Sequence, residues 1–411
     1  LGCQRGGVTF IKLGQWASMR RDLFDERMCH ELESLTDKAG THDWEATTAI
    51  LRADLGEDWE RQLSIDPKAP LLGAGCVAQV YRGRLHTGAN EEPAHVAVKV
   101  IHPGVRATVE DDINILRGVV WTIELIPALR WLDLGNAVEE FCALLQWQID
   151  LRYEARNLER FQENFKMQPL INFPRPFEEI STASVLVETY EPGVPIGKVI
   201  EASSDPIKKH LSTIICDAMM QMLFKHNLSH GDMHQGNILV TGLDPTDLST
   251  VAEGKKVKHV GVTLLDAGIT TQLSESDWAN FMDLFRAVIK RDGRLAGELI
   301  LERSATKDAC LDQAAFVTGI ESLVDQVMNR GLRLDTLKVG VLLSQVLTLA
   351  CTKHVRLETN FTSVVLTVMV VEAMGRTLNP DLDILVAAAP YLLEKGVDAA
   401  IDSIDSAVRG R

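Results

Sequence analysis

The sequence has no C-x-x-C pair, no excess of basic residues and no long apolar run. Its cysteines are scattered, without the spacing of a disulfide framework or a structural zinc site, so we expect reduced thiols. Lys and Arg number 42 against 57 Asp and Glu, and this net charge of -15 argues against broad binding to nucleic acid or an anionic membrane surface. The longest apolar run, VVLTVMVV, is far shorter than the roughly 18 residues of a spanning helix.

Helical and strand-like segments alternate along the chain and set the expected order of elements. Residues 10–61 and 105–165 carry apolar residues at helical spacing, the second stretch with an interruption near Ile126 and Pro127. Two Val- and Ala-rich segments between residues 71 and 101 flank a polar loop, which predicts a β-hairpin. The remaining expected elements are a strand at 185–191, a helix at 206–227, the strands NILV and VGVTLLD joined by a polar loop at about 241–257, and helices beyond Asp277.

Two features of the predicted hairpin suggest contact with a polyphosphate. In GAGCVAQVY, the small residues Gly73, Gly75 and Ala78 hold the G-x-G-x-x-G positions, where backbone amides approach phosphates closely. Lys99 follows in VAVKV, which resembles the V-A-I-K strand of protein kinases. Each signal alone is equally typical of a glycine-containing turn or a solvated lysine.

A helical glutamate is the next candidate, because it could hold the amine of the strand lysine. Glu154 falls on the margin of an apolar stripe in the helix predicted around 141–161, with Asp150 one turn earlier on the same side. The alternative interpretation is an exposed pattern of charge.

The stretch SHGDMHQGNILV permits two interpretations. His230, Asp232 and His234 alternate, and in an extended chain they would project together as a metal triad. Asp232 and Asn237 also keep the interval of the kinase catalytic loop H-R-D-x-x-x-x-N, in which the Asp meets the substrate hydroxyl and the Asn binds Mg²⁺. Only the kinase interpretation accounts for Asn237 and the strand that follows.

Asp266 in LLDAGI ends an apolar strand and is followed by small residues, as in D-F-G. A carboxylate at that place can bridge Mg²⁺ to phosphates, although an Asp-Ala-Gly tripeptide alone is usually a turn. The glycine loop, the lysine, the glutamate, the Asp-Asn pair and this last aspartate follow one another in the kinase order. Their joint occurrence favours a nucleotide site over the metal triad.

Nearly the whole chain resembles the UbiB, or aarF-domain, family of atypical protein-kinase-like proteins. Lys12 to Gln15 matches its K-x-G-Q signature, AGCVAQVY its alanine-rich loop, HGDMHQGNILV its H-x-D-x-H-P-G-N segment and VEAMGRTLNPDLDI its C-terminal helical region. FIKLGQWAS and LLDAG are most similar to the animal mitochondrial branch of that family. The combination is specific, because ordinary kinases have neither K-x-G-Q nor the extension.

The resemblance implies an α+β fold of protein-kinase-like type, with two lobes and helical extensions at both ends. It assigns residues 1–64 to the helical extension that carries K-x-G-Q, 65–190 to an N-lobe with a helical insertion, 191–300 to a C-lobe and 301–411 to a C-terminal helical extension.

The resemblance also implies a site that binds ATP with Mg²⁺. The expected catalytic residues are Lys99 on the phosphates, Glu154 holding that lysine, and Asp232 orienting a water or hydroxyl. Asn237 and Asp266 are expected to hold the metal. The further expected nucleotide contacts are Gly73, Ala74, Gly75, Cys76, Val77 and Ala78 of the loop, and backbone groups near Glu188 and Tyr190. The family-specific positions are Lys12, Gln15, Gln148 and Asp150, and in the family the K-x-G-Q side chains reach into the site.

Four departures from the family pattern put turnover in question more than nucleotide binding. Gly75 stands where the family usually has alanine, which loosens the constraint on the loop. Gln148 replaces an acid, Ala267 replaces the Phe of D-F-G, and Gln235 replaces a proline that would stiffen the loop.

The resemblance favours ATPase or small-molecule chemistry that supports coenzyme Q biosynthesis or related lipid metabolism in mitochondria. The alternatives are a catalytically weak, nucleotide-switched scaffold and a metallohydrolase built on the alternating histidines. A lipid or quinone precursor, a membrane surface and coenzyme Q biosynthetic proteins are the expected partners, and nucleic acid is not. Because the sequence starts at Leu1, we expect any targeting segment or membrane anchor to precede it.

Overall fold

The computed structural model describes residues 6–21, 23–24, 26–33, 40–86, 92–127, 133–243, 259–304, 307–329, 339–357 and 359–382, together with 384, 387–388 and 390–391. Most of the polar loop predicted at about 241–257 and residues 87–91 of the hairpin loop lie outside the described residues.

Thirteen helices and eleven strands are assigned within these ranges. The helices are α1 Val8–Met19, α2 Glu26–Glu33, α3 Trp44–Leu55, α4 Val105–Glu124, α5 Leu134–Gln148, α6 Leu151–Phe165, α7 Ile196–Ala202, α8 Asp205–Met220, α9 Glu275–Ile289, α10 Gly293–Glu302, α11 Gln313–Asn329, α12 Val339–Lys353 and α13 Thr359–Leu378. The strands are β1 Leu63–Ile65, β2 Gly73–Ala74, β3 Ala78–Leu85, β4 Ala94–Ile101, β5 Ile171–Asn172, β6 Val185–Thr189, β7 Val194–Pro195, β8 Ser229–His230, β9 Ile238–Thr241, β10 Gly261–Leu264 and β11 Thr270–Thr271. The α+β prediction is confirmed.

The chain divides into two compact units. Unit 1 consists of Leu1–Ser18, His30–Pro192 and Thr263–Ile269. Unit 2 consists of Met19–Cys29, Gly193–Val262 and Thr270–Arg411.

Unit 1 is built on an antiparallel sheet in the order β1-β3-β4-β6, with β2 paired to β3. Alternation along β4 sends Val96, Val98 and Val100 to one face, where all three are fully buried in a core that includes Leu51 of α3. Burial of each such side chain stabilises the fold by roughly 1.5–3 kcal/mol. The strand is therefore fixed in one orientation, with Ala97 and Lys99 on the opposite face.

A helical layer of unit 1 joins α1 to α4 and α5. Val8, Phe10, Leu13 and Trp16 pack against the buried residues of α4 and α5, and the Trp16 ring lies 5.7 Å from that of Phe141. This packing explains the apolar stripe of the N-terminal extension. Lys12 and Gln15 occupy half-buried positions on the same helix.

The helix predicted around 141–161 is in fact two helices, because the chain breaks at Ile149 and Asp150. Asp150 has extended backbone angles, and its carboxylate accepts a hydrogen bond from the Arg152 amide at 3.1 Å, which makes it the N-cap of α6. The prediction of one continuous helix was wrong: Asp150 precedes Glu154 by four residues as expected, but it caps α6 and does not lie within a helix.

Unit 2 is mainly helical in its described part. Strand β7 pairs with β9, β8 pairs with β11, and α8 ends in a short π-helical turn at residues 221–225. Phe316, Ile320 and Leu347 are fully or almost fully buried in the core that α9 to α13 share. No helix in the described ranges is both long enough and apolar enough to span a bilayer.

Candidate functional site

Three predicted residues of unit 1 meet in one partly buried cluster. The Lys99 ammonium lies 2.9 Å and 2.8 Å from the two carboxylate oxygens of Glu154 and 3.2 Å from Oδ2 of Asp266. An ammonium has three N–H donors, and these contacts match that number.

Local structure explains why Lys99 and Glu154 meet. Lys99 projects from the sheet face opposite the valines of β4, and its side chain is 16% exposed. The Asp150 cap starts α6 so that Glu154 lies in the first turn on the buried side, beside Ala155 and Leu158. A glutamate there, 5% exposed, needs a cationic partner, because an isolated buried carboxylate is costly.

Asp266 occupies a strained turn that aims its carboxylate at the cluster. Its φ of 54° lies in the left-handed region, which residues with a Cβ adopt at a cost. Its Oδ1 accepts a hydrogen bond from the Gly268 amide at 3.3 Å, and a Cβ at Gly268 would lie 3.1 Å from that oxygen. Asn157 of α6 anchors the turn by donating to the Ala267 carbonyl at 2.9 Å. Small residues after the aspartate therefore permit the geometry.

The cluster contains more carboxyl groups than cations. Burial alone would lower the pKa of Lys99, but Asp266 and Glu154 raise it well above its usual value. Burial raises the pKa of Glu154 to about 7, against the opposing effect of Lys99. Burial and the charge of Glu154 raise the pKa of Glu188 to about 8. Lys99 thus keeps its proton, and both glutamates bind protons at a higher pH than a solvent-exposed glutamate does.

The glycine loop turns tightly between β2 and β3. Gly73 and Ala74 are exposed, and the Gly75 amide donates to the Ala78 carbonyl at 2.9 Å. Cys76 is buried, whereas Val77 is half-buried against the helical layer of α4 and α5. The exposed part of the loop is therefore its first two residues.

The strand end expected to contact a base is tied into unit 1. The Tyr190 amide donates to the His95 carbonyl at 3.0 Å, and the Arg82 guanidinium lies 4.4 Å from the centre of the Tyr190 ring. Glu188 lies beside Ala97 in the β4–β6 register, on the sheet face of Lys99. Its side chain, which the sequence did not single out, points to the cluster.

In unit 2, Asp232 and Asn237 are neighbours, as their spacing predicts for one turn. Asn237 Nδ2 donates to the Asp232 carbonyl at 3.0 Å and approaches its Oδ2 at 3.4 Å. Because the amide nitrogen faces Asp232, the side-chain oxygen is the atom that remains for a cation. His234 Nε2 lies 3.5 Å from the Asp232 carboxylate.

Comparison with known proteins identifies the family. The family model for the ABC1 atypical kinase-like domain matches residues 34–299. The chain belongs to the ABC1 atypical kinase-like family. Mitochondrial ABC1 family proteins of Saccharomyces cerevisiae and Schizosaccharomyces pombe are 33% and 32% identical to it, each over 95% of this chain. This chain spans 66% and 64% of the length of these two curated relatives.

A further relative and a solved structure extend the comparison. A probable serine/threonine-protein kinase of Dictyostelium discoideum is 28% identical to this chain, over 96% of this chain and 64% of its own length. The structure of a Mycobacterium tuberculosis protein in complex with erythromycin matches with a TM-score of 0.61 at 15% identity, covering 92% of this chain and 91% of that one. The expected kinase-like fold and the resemblance to the UbiB/aarF family are confirmed.

The alternative of a metal site formed by His230, Asp232 and His234 finds no support in this structure. His230 is 1% exposed in β8, and its Nδ1 accepts a hydrogen bond from the Asp232 amide at 3.2 Å. Among the described residues, no three His, Cys, Asp or Glu side chains form a group that could hold a metal ion. The alternating histidines instead shape the turn that carries Asp232.

A histidine pair that no sequence motif indicates fastens the glycine loop. His102 Nε2 lies 2.8 Å from the Gly75 carbonyl oxygen, and its Nδ1 lies 2.7 Å from Nδ1 of His42. His42 Nε2 in turn contacts the Thr47 hydroxyl of α3 at 2.9 Å. Two facing ring nitrogens share one proton, so the pair holds together only while at least one ring is neutral.

The histidine pair predicts acid sensitivity of unit 1. Burial, and then the neighbouring His102, lower the pKa of His42, so the unfolded chain binds protons that the folded chain does not as pH falls below about 6.5. The free energy of unfolding should therefore decrease on acidification, and His42→Gln should reduce that decrease. Urea unfolding at several pH values measures this decrease in the free energy of unfolding. The control is His95→Gln, at an exposed position. Equal pH slopes for the two variants would contradict the prediction.

Proposed function

We propose that this chain binds ATP with Mg²⁺ and acts as an atypical kinase or ATPase. The observation that supports this most is the Lys99–Glu154–Asp266 cluster, with distances of 2.8 to 3.2 Å, in a chain of the ABC1 family. Lys99, held by Glu154, would bind the phosphates, because its ammonium is the cation of a site otherwise rich in carboxyl groups.

The residues present fit a magnesium ion. Mg²⁺ is usually bound by one or two carboxylates with the substrate phosphates and water, so a cage of three side chains is not required. The Asp266 side chain is 44% exposed, which leaves its oxygens accessible, and the excess of carboxyl groups around Lys99 favours a divalent cation. When bound, the ion would neutralise phosphate charge.

Asp232 and Asn237 have complementary roles in the proposal, assigned from their place in the family pattern. Asp232 would orient the attacking water or hydroxyl, and the Asn237 side-chain oxygen would serve as a metal ligand. The hydrogen bond from Asn237 to the Asp232 carbonyl supports this assignment, because it holds both side chains on one turn.

The proposed cellular role is support of coenzyme Q biosynthesis or related lipid metabolism in mitochondria. The mitochondrial names of the yeast relatives support the compartment, and the family resemblance supports the pathway. Lys12, Gln15 and Gln148 are proposed to serve this family-specific chemistry.

Nucleotide-dependent thermal stabilisation tests the site. Mg-ATP at about 100 times its dissociation constant should stabilise the wild type by about 2.7 kcal/mol, seen as a rise in Tm. Asp266→Asn should lose the part of that rise that depends on Mg²⁺, because a carboxamide binds the ion poorly. The control is Asp66→Asn, on an exposed turn of unit 1. A wild type with no response to nucleotide at any Mg²⁺ concentration would contradict the proposal.

A cavity in unit 2 favours the second candidate function, a nucleotide-switched scaffold that binds a lipid. The cavity holds about 130 Å³, and its lining is entirely apolar, with Phe224, Phe285, Leu343 and Val346 among the contributing residues. Cavities of this size and polarity stay dry and accept a small apolar group, roughly one aromatic ring or one prenyl unit. The proposed occupant is the end of a prenyl chain.

A cavity-filling variant tests the lipid candidate. Farnesol should raise the Tm of the wild type, and Val346→Phe should abolish that rise because its ring occupies the space. Val341→Phe is the matched control, since Val341 lies on the same helix and is 52% exposed. Equal farnesol responses of the two variants would contradict the assignment.

A further inference from the structure

Glu188 differs from the other acids of the Lys99 cluster because its Oε2 has no hydrogen-bond partner in the part of the chain that the structure describes. Register places Glu188 opposite Ala97 and Leu186 opposite Lys99, so all four side chains share one face of the sheet. Oε2 of Glu188 is a buried atom without a hydrogen-bond partner among the described residues. A buried carboxyl oxygen of this kind is costly unless a ligand or a proton satisfies it.

The Lys99 ammonium, which is the cation of the cluster, already contacts other acids. Two contacts of the Lys99 ammonium go to Glu154 and the third goes to Asp266, which accounts for its three N–H donors. The charged groups that face Glu188 are Lys99 on β4, Glu154 on α6, Asp266 after β10 and Glu191 after β6. Three of these four groups are acids, so the surroundings favour the neutral form of Glu188.

The backbone amides that follow Glu188 also have hydrogen-bond partners already. The Thr189 amide donates to the Arg175 carbonyl at 2.9 Å, and the Tyr190 amide donates to the His95 carbonyl at 3.0 Å. The two amides that follow Glu188 are thus used inside unit 1, and the Glu188 carboxyl is the polar group of this strand end that still needs a partner.

We propose that Glu188 binds the nucleotide as a neutral carboxylic acid through its Oε2, so that nucleotide affinity depends on one proton. This inference rests on the proposed function. A neutral acid offers one donor and one acceptor, which suits the edge of a purine base where an amino group adjoins a ring nitrogen. An ionised Glu188 would bind more weakly, because it loses the donor that the ring nitrogen needs and adds a negative charge to a site already rich in acids.

The proton requirement gives a defined pH profile. Because the pKa of Glu188 is raised to about 8 by burial and by the neighbouring acids, wild-type affinity for Mg-ATP should be steady near pH 7. Above about pH 8 it should fall about tenfold per pH unit, and binding there should take up about one proton per nucleotide. Isothermal titration calorimetry in two buffers of different ionisation enthalpy measures both quantities.

Two substitutions separate this role from a structural one. Glu188→Gln retains a donor and an acceptor but cannot ionise, so its affinity should lose the pH dependence and its proton uptake should vanish. Glu188→Leu keeps the bulk without hydrogen bonds and should bind weakly at every pH. Glu179→Gln, at an exposed position of unit 1, should behave as the wild type.

The outcomes distinguish the inference from the proposed function. Binding by the wild type with a pH profile that Glu188→Gln leaves unchanged would overturn the inference alone. Equal affinities of Glu188→Gln and Glu188→Leu would overturn it as well. Absence of Mg-ATP binding in the wild type at every pH would overturn the proposed function and the inference together.

Discussion

Lys99→Met should lower the free energy of unfolding by roughly 3–5 kcal/mol at about pH 8 and abolish stabilisation by Mg-ATP. The substitution leaves Glu154, Glu188 and Asp266 together without their ammonium; Glu154 is buried, and Glu188 is half-buried with a buried Oε2. The loss of nucleotide response follows because the ammonium proposed to bind the phosphates would be missing. Urea unfolding and thermal shifts with and without Mg-ATP measure the two effects.

The pH dependence of this loss has a definite sign. Without Lys99, the carboxyls must be protonated to be tolerated, so they would bind protons in the folded chain at a higher pH than in the unfolded chain. The destabilisation should therefore shrink as pH falls towards about 6 and grow as pH rises. Lys68→Met, on an exposed turn of the same unit, should show neither effect. A destabilisation independent of pH would mean that lost packing, and not charge, is its cause.

The sequence predicted the longer elements, in which the apolar pattern extends over enough residues to be recognised. It did not predict the short elements that depend on tertiary contacts. Strands β3, β4 and β6 have enough Val and Ala to be recognised. Strand β1 has three residues and β5 has two, which is too few for an alternating apolar pattern to be recognised. Each strand forms because a longer strand or a neighbouring segment supplies its hydrogen bonds.

The candidate site shows the same division. Lys99, Glu154 and Asp266 could be proposed because each belongs to a motif with a chemical role. The break before α6 was missed although Asp150 is a common N-cap residue, because the apolar spacing runs through it without interruption. His42 and His102 stand far apart in sequence and belong to no motif, so only the fold reveals their contact.

The two units pose different questions about function. In the proposed function, the Lys99 cluster of unit 1 determines whether a nucleotide is held, whereas the Asp232 turn of unit 2 determines whether it is consumed. The 3₁₀ turn Gln235–Asn237 is capped by His234, whose Nδ1 accepts a hydrogen bond from the Gly236 amide at 3.0 Å. The turn is thus held by local hydrogen bonds although it lacks the proline of the family pattern, which removes one reason to doubt turnover.

Asp232→Asn separates an enzyme from a scaffold. If Asp232 orients the attacking water or hydroxyl, this substitution should lower phosphate release from Mg-ATP by about 10² to 10⁴-fold. The hydrogen bond from Asn237 to the Asp232 backbone carbonyl does not involve the altered group, so the turn and the nucleotide-dependent rise in Tm should persist. Asp381→Asn, at a side chain 80% exposed in the same unit, is the matched control.

This experiment distinguishes the two candidate functions because it measures nucleotide binding and phosphate release on the same protein. An enzyme requires phosphate release by the wild type and by Asp381→Asn that clearly exceeds release by Asp232→Asn. Equal, low release by all three proteins, with the nucleotide-dependent Tm rise intact in each, would exclude Asp232 from catalysis. In that case nucleotide binding would serve to switch the protein between states, and the apolar cavity of unit 2 would become the principal functional site.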